Sequence, residues 1–244
     1  MKWFKFTCIV VVWCCIMFGM ALLQVLSDTH FKKMSPQWTP VYDTIGTPTT
    51  KYHINRKIAD SLLFFSSISA IIIIIVDKRR KVPILVILER LLVISAILYA
   101  LRTITFSLTS YPPPNPYCIL KTADTTKDLF ELAIQQLAGT MTCTDLLFSG
   151  HALTIILSAL FIDFYSSYRH IVLLYYIIAV VGSFFIIAAK MHYSSDVFLA
   201  WVVAMLVFTW YHMMITLEPP TTQDRKPPKV MWKTIQYIFR KIDE

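Results

Sequence analysis

Charge is scarce in this chain: Asp, Glu, Lys and Arg make up 16% of 244 residues, against 56% hydrophobic residues and a mean hydropathy of +0.59. That balance excludes an ordinary soluble domain, in which about a quarter of residues are charged. Glycine is scarcer still, with five in the whole chain, so punctuation falls to proline clusters at Pro112–Pro116 and Pro219-Pro220. No internal repeat or low-complexity tract is present, which argues against a repeat array. The first apolar run lacks a small-x-small cleavage pattern and is about 21 residues long, beyond the usual core of a signal peptide, so it is expected to stay as a helix.

What is there is a set of apolar runs, each long enough for roughly 20 helical residues to cross the hydrocarbon layer. Six are expected: Phe6 to Leu26, Ile58 to Val76, Pro83 to Leu108, Phe148 to Tyr165, Ile171 to Ala189 and Val197 to Leu217. A lipid-facing backbone must satisfy its own hydrogen bonds, so even Ile71–Ile75 reads as helix. The expected fold class is an all-α polytopic membrane protein, a bundle of six transmembrane helices with both termini cytosolic.

The net charge of +8 is placed for membrane orientation and gives no sign of nucleic-acid binding. Lys78-Arg79-Arg80-Lys81 fills the link between the second and third runs, and the tail from Glu218 carries Arg225, Lys226, Lys229, Lys233, Arg240 and Lys241. The positive-inside rule puts both in the cytosol. Three loops then face the lumen or exterior: Ser27 to Lys57, Thr109 to Leu147, and Lys190 to Ser195. Lys32, Lys33, Lys51, Arg56 and Lys57 make the first of these basic, against the rule. The single domain divides into residues 1–83 with two spans, a catalytic core at 84–217 and a basic tail at 218–244. Cys118 and Cys143 share one lumenal loop, where a disulfide and two free thiols are both open readings.

Two short segments sit where apolar runs begin: Asp145-Leu146-Leu147-Phe148-Ser149-Gly150-His151 and His192-Tyr193-Ser194-Ser195-Asp196. Ionisable groups at such positions are functional-site candidates. On the expected topology both histidines reach the same extracytoplasmic face. Asp196 follows His192 by four residues, a helical spacing that lets the carboxylate orient the imidazole. An oriented imidazole attacks phosphorus, and a second, protonated one supplies the proton for a departing alkoxide. Ser149 and Gly150 at a helix start offer backbone amides to phosphate. Two histidines with aspartates but no third strong nitrogen or sulfur ligand make a poor zinc set, so no metal or cofactor is expected.

These motifs resemble those of the type 2 phosphatidic acid phosphatase superfamily, and within it the sphingomyelin synthases. Cys143-Thr144-Asp145-Leu146-Leu147-Phe148-Ser149-Gly150-His151 is similar to their Cys-Gly-Asp-x-Leu-x-Ser-Gly-His-Thr motif, and His192-Tyr193-Ser194-Ser195-Asp196-Val197 to their His-Tyr-Thr-x-Asp-Val motif. The stretch Arg102 to Pro112 resembles their Arg-x-x-Thr-x-x-x-Thr-x-x-Pro. Thr144 and Ala152 depart from the pattern, and the phosphate clamp of the superfamily's lipid phosphatases is missing upstream.

The resemblance implies a sphingolipid synthase of the phosphatidylcholine:ceramide cholinephosphotransferase kind, acting at the lumenal or extracellular face of the Golgi, endoplasmic reticulum or plasma membrane. Catalytic roles fall on His151, His192, Asp196 and Asp145, and substrate-binding roles on Arg102, Ser149, Gly150 and Tyr193. Substrates and products are lipids: ceramide, a glycerophospholipid and diacylglycerol. Choline, ethanolamine and inositol headgroups stay open, as does homo-oligomerisation. The alternatives are a lipid phosphate phosphatase of the same superfamily and a non-enzymatic ceramide-sensing scaffold.

Overall fold

Apolar runs closed by polar or proline-bearing segments fold into helices. The structure, a computed structural model, describes residues 2–48, 54–79, 82–139 and 142–216. These form seven helices in chain order: α1 (Lys2–Met34), α2 (Lys57–Val76), α3 (Ile84–Leu108), α4 (Thr126–Leu137), α5 (Gly150–Tyr165), α6 (Arg169–Ala188) and α7 (Ser194–Thr216). The described residues contain no strand. Five helices (α1, α2, α3, α6 and α7) are long and apolar enough to cross a membrane, which makes this an integral membrane protein. The sixth expected span, α5, is apolar but only 16 residues long, about 24 Å at 1.5 Å per residue. It lies at the centre of the bundle, packed on α2, α6 and α7, with Leu153, Ile155, Ile156, Ala159 and Ile162 almost wholly buried. Gly182 of α6 allows the close approach: a Cβ there would lie 3.0 Å from Ile155 Cδ1.

Polar contacts gather at the two ends of the bundle. At one end, the ends of α1, α3 and α6 meet the starts of α2, α5 and α7. At the other, Lys5 of α1 pairs with Glu89 of α3 at 2.9 Å, and Arg90 donates to the Tyr165 hydroxyl, which lies 2.7 Å from His212 Nε2. Asp77, just after α2, accepts from the Ser167 amide at 2.8 Å and so ties α2 to the α5–α6 turn. Glu89 and Arg90 are thus cross-helix ties, and Glu89 is buried. Asp163 accepts from the Tyr176 hydroxyl at 2.9 Å.

The departures from the sequence expectation that shape the site are the end of α1, a helix within the second lumenal loop and the start of α7. The first helix does not stop at Leu26 but runs to Met34, because Gln24, Ser27, Asp28 and Thr29 find partners instead of facing lipid. Lys32 and Lys33 lie in its last turn, beside the negative end of the helix dipole, which accounts for part of the basic charge in that loop. The loop from Thr109 to Leu147 contains α4, an amphipathic helix that packs on α1 and starts with a capping box between Thr125 and Asp128. The last helix starts at Ser194, three residues before Val197, so Asp196 lies in its first turn. Cys118 and Cys143 form a disulfide with a Cα–Cα distance of 6.0 Å. Lys78 and Arg79 follow α2, whereas Arg80, Lys81, Lys51 and the tail from Glu218 lie outside the described residues.

Candidate functional site

The two motifs are joined by their backbones. Ser149 N donates to the Asp196 carbonyl at 3.2 Å, which locks the start of α5 to the start of α7. Ser149 is the N-cap of α5, and its hydroxyl accepts from Ala152 N at 3.2 Å, leaving His151 in the first helical turn. Ser149, expected to bind substrate, is fully buried and is not among the residues lining the cavity described next.

His151 and His192 line one cavity of about 520 Å³, together with Gln24, Asp60, Tyr99, Arg102, Thr142, Asp145, Gly150 and Thr154. Each histidine has its own carboxylate. His192 Nδ1 lies 3.4 Å from Asp196 Oδ2, and both side chains are buried; the same oxygen accepts from Tyr193 N at 3.3 Å. With Nδ1 directed at the carboxylate, Nε2 is the nitrogen left for chemistry. His151 Nε2 lies 3.1 Å from Asp60 Oδ1 in the first turn of α2, leaving His151 Nδ1 free of that contact.

Asp60 was not singled out in the sequence. The signal was available, since a carboxylate at the third position of an apolar run invites the same question as His151 does. Asp145, expected to take a catalytic role, lines the cavity, forms an ion pair with Arg102 and accepts from Gln24 Nε2 at 2.7 Å. Arg102 also donates to the Asp145 carbonyl at 3.1 Å and the Phe148 carbonyl at 3.3 Å. The guanidinium therefore braces the whole Asp145–Phe148 turn. Leu147 in that turn has φ 84°, a left-handed conformation that a leucine adopts only when its surroundings enforce it. Gly150 suits the same packing, because a Cβ there would lie 3.2 Å from Arg102 Nε, tighter than ordinary contact.

A second brace comes from α1. Asp28 is fully buried; it accepts from the Cys143 amide at 3.0 Å, the Thr144 amide at 2.9 Å and the Thr144 hydroxyl at 2.8 Å, and from Lys121 N at 3.0 Å. Ser27 Oγ lies 2.8 Å from Thr144 Oγ1. Thr144, a departure from the resembled motif, is therefore a structural group whose hydroxyl faces Asp28 and Ser27. Tyr193 does not reach the histidine cavity. Its hydroxyl donates to Pro112 O at 2.8 Å and accepts from Val41 N at 2.9 Å, stapling two loops over the start of α7. Asp43 holds the same loop by accepting from Ser194 N and Ser194 Oγ, each at 2.7 Å. Burial pushes the Asp43 carboxyl up, but the hydrogen bonds from Ser194, Gly46 and Ile45 outweigh it and hold the group below its ordinary value. Among the described residues no group of three or more His, Cys, Asp or Glu side chains is arranged to hold a metal.

This arrangement supports covalent exchange at an ester centre: one buried oriented imidazole, a second imidazole backed by a carboxylate, and a helix N-terminus between them that favours an anion. Known proteins resemble this chain over part of its length. Residues 142–213 match the family described as PAP2 superfamily C-terminal. The chain is 29% identical over 140 residues to sphingomyelin synthase-related protein 1 of Homo sapiens, covering 53% of this chain and 34% of that protein. It is 27% identical over 193 residues to phosphatidylcholine:ceramide cholinephosphotransferase 1 of Caenorhabditis elegans (72% and 40% covered). Against the Homo sapiens protein of that name it is 33% identical over 175 residues (64% and 42% covered). The chain thus spans between a third and a half of the length of these relatives. Its 142–213 segment thus matches the PAP2 superfamily C-terminal family, and over part of its length the chain is similar to sphingomyelin synthase-related proteins and phosphatidylcholine:ceramide cholinephosphotransferases.

Proposed function

We propose that this protein is a sphingolipid synthase that moves the headgroup phosphate of a glycerophospholipid onto the C1 hydroxyl of ceramide. The observation that carries the reading is the convergence of His151 and His192 on one cavity, with the Ser149–Asp196 backbone bond fixing the two motifs together. In the first step His192 Nε2 attacks phosphorus, the bond from phosphorus to the glycerol oxygen breaks, and His151 delivers its proton to that oxygen. Diacylglycerol leaves, and the headgroup phosphate stays on His192 as a phosphohistidine. In the second step His151 takes the C1 hydroxyl proton of ceramide, the ceramide oxygen attacks phosphorus, and His192 departs as a neutral imidazole. His151 ends protonated and His192 free, as they began.

Asp196 fixes the tautomer of His192 and offsets the charge that it develops, while Asp60 does the same for His151. First-turn amides of α5 and the Arg102 guanidinium beside Gly150 supply positive potential for the phosphoryl oxygens. Asp145 acts through Arg102 and not on substrate. Five long apolar helices, with α5 as the sixth crossing, suit lateral entry of both lipids, and the distribution of basic residues supports a lumenal or extracellular site with cytosolic termini. The names of the relatives include cholinephosphotransferase, and choline is one of the headgroups this mechanism accommodates.

The test is incubation of the purified full chain with fluorescent ceramide and single phospholipid donors, with products identified by mass. The expected outcome is a phosphosphingolipid with one diacylglycerol released per product. Release of inorganic phosphate from phosphatidic acid without ceramide would select the phosphatase reading, and ceramide binding with no exchange the sensor reading.

A further inference from the structure

Gln24 sits on α1, is buried, and lines the cavity of His151 and His192. Its side-chain nitrogen donates to Asp145 Oδ2 at 2.7 Å, and that same carboxylate faces the Arg102 guanidinium. A carboxylate paired with a guanidinium accepts hydrogen bonds and has none to give, so the amide nitrogen of Gln24 must face it and Oε1 must point away. Gln24 Oε1 is a buried acceptor with no partner among the described residues. Thr142 Oγ1, buried in the wall of the same cavity, is a second polar atom without one.

Buried acceptors without donors are costly and rare, and two in one cavity mark where a ligand supplies the missing groups. We propose that Gln24 Oε1, with Thr142 Oγ1, forms a headgroup subsite that selects phospholipid donors whose headgroups carry N–H or O–H groups over the quaternary ammonium of choline. This inference rests on the sphingolipid synthase reading and names its donor class. A trimethylammonium has no hydrogen to offer Gln24 Oε1, so its entry leaves that oxygen both buried and dry. Such a cation is held by the faces of several aromatic rings. The cavity has two, Phe64 and Tyr99, and Phe64 is largely exposed at its rim. A primary ammonium or a hydroxylated headgroup carries the hydrogens that such oxygens accept. Sites built around a substrate hydrogen bond discriminate strongly against analogues that lack the donor.

Two measurements on the full chain in lipid nanodiscs test this. In the first, thermal stabilisation by soluble phosphoethanolamine is compared with that by phosphocholine, a readout that needs no turnover. In the second, phosphatidylethanolamine and phosphatidylcholine compete as donors to fluorescent ceramide. Wild type is expected to be stabilised by phosphoethanolamine alone and to favour phosphatidylethanolamine by about tenfold or more. Gln24→Met, which keeps the side-chain length, should bring the ratio to within about twofold, and Thr142→Ala should lower it part of the way. A wild-type preference for choline, or a Gln24→Met variant that lowers both activities equally, overturns the assignment. So does a Gln24→Met variant with an unchanged donor ratio and a raised KM for ceramide, which would give the acceptor to the ceramide amide. Exchange that prefers phosphatidylcholine leaves the synthase reading standing and removes this one; selective stabilisation without exchange from any donor does the reverse.

Discussion

Asp60→Asn isolates the charge behind His151. Asparagine keeps the size and an acceptor oxygen, so the imidazole keeps a neighbour but loses the negative charge beside it. The pair is 3.1 Å apart, with the Asp60 side chain 44% exposed and that of His151 27% exposed. A buried hydrogen bond to a charged group contributes about 1.5–3 kcal/mol, and an exposed ion pair about 0.2–1. Half exposure puts this one near 1 kcal/mol, which is about a fivefold loss in kcat. His151→Ala removes the general acid itself and should cost about 10²–10⁴-fold. Because Asp60 is argued to act only through His151, the two losses must not add. In the His151→Ala background Asp60→Asn should change the rate by less than about twofold. The assay is ceramide-dependent product formation by the four proteins of this cycle, with a melting curve for each to exclude unfolding. A fivefold loss that persists in the His151→Ala background would refute the pairing, as would full activity in Asp60→Asn alone.

Two further outcomes follow from the braces around the site. Thr144→Val keeps the shape but removes the hydroxyl between Ser27 and Asp28, leaving the Asp28 carboxylate one donor short. The expected cost is about 1–3 kcal/mol, or about 2–4 °C in Tm for each kcal/mol at this chain length, read by differential scanning fluorimetry; an unchanged Tm would contradict it. Asp43 is held below its ordinary value in the folded state, so its contribution is fully present above the unfolded pKa of about 3.9 and is lost as pH falls through the lower folded value. Wild type should therefore melt above Asp43→Asn at neutral pH, with the gap narrowing below about pH 4, and a gap that widens in acid would reverse the sign argued for the group.

The sequence made the local part of the site legible and hid the long-range part. His192 and Asp196 are four residues apart at a helix start, so their contact follows from helix geometry alone, and the Ser149 cap follows from residue type and position. Asp60 meets His151 across 91 positions, a contact set by the rotation of α2 against α5 that no pattern within either run encodes. Asp28 and Gln24 were hidden for a different reason. A hydropathy reading ends the first span at Leu26, whereas burial of those polar groups against the 142–145 turn carries the helix to Met34. The helix α4 is short and lies in a stretch read as loop, although Thr125 and Asp128 announce its capping box. Tyr193, placed by its motif beside the histidine, turns its hydroxyl the other way because Pro112 O and Val41 N meet it there.

The central claim is that His192 carries the headgroup phosphate between the two lipids. Purified protein, given a phospholipid radiolabelled in its headgroup phosphate and no ceramide, should trap label in an alkali-stable, acid-labile form on His192. Addition of ceramide should discharge it into sphingolipid. His192→Ala should trap none, and a labelled chain in that variant, or full turnover by it, would contradict the mechanism.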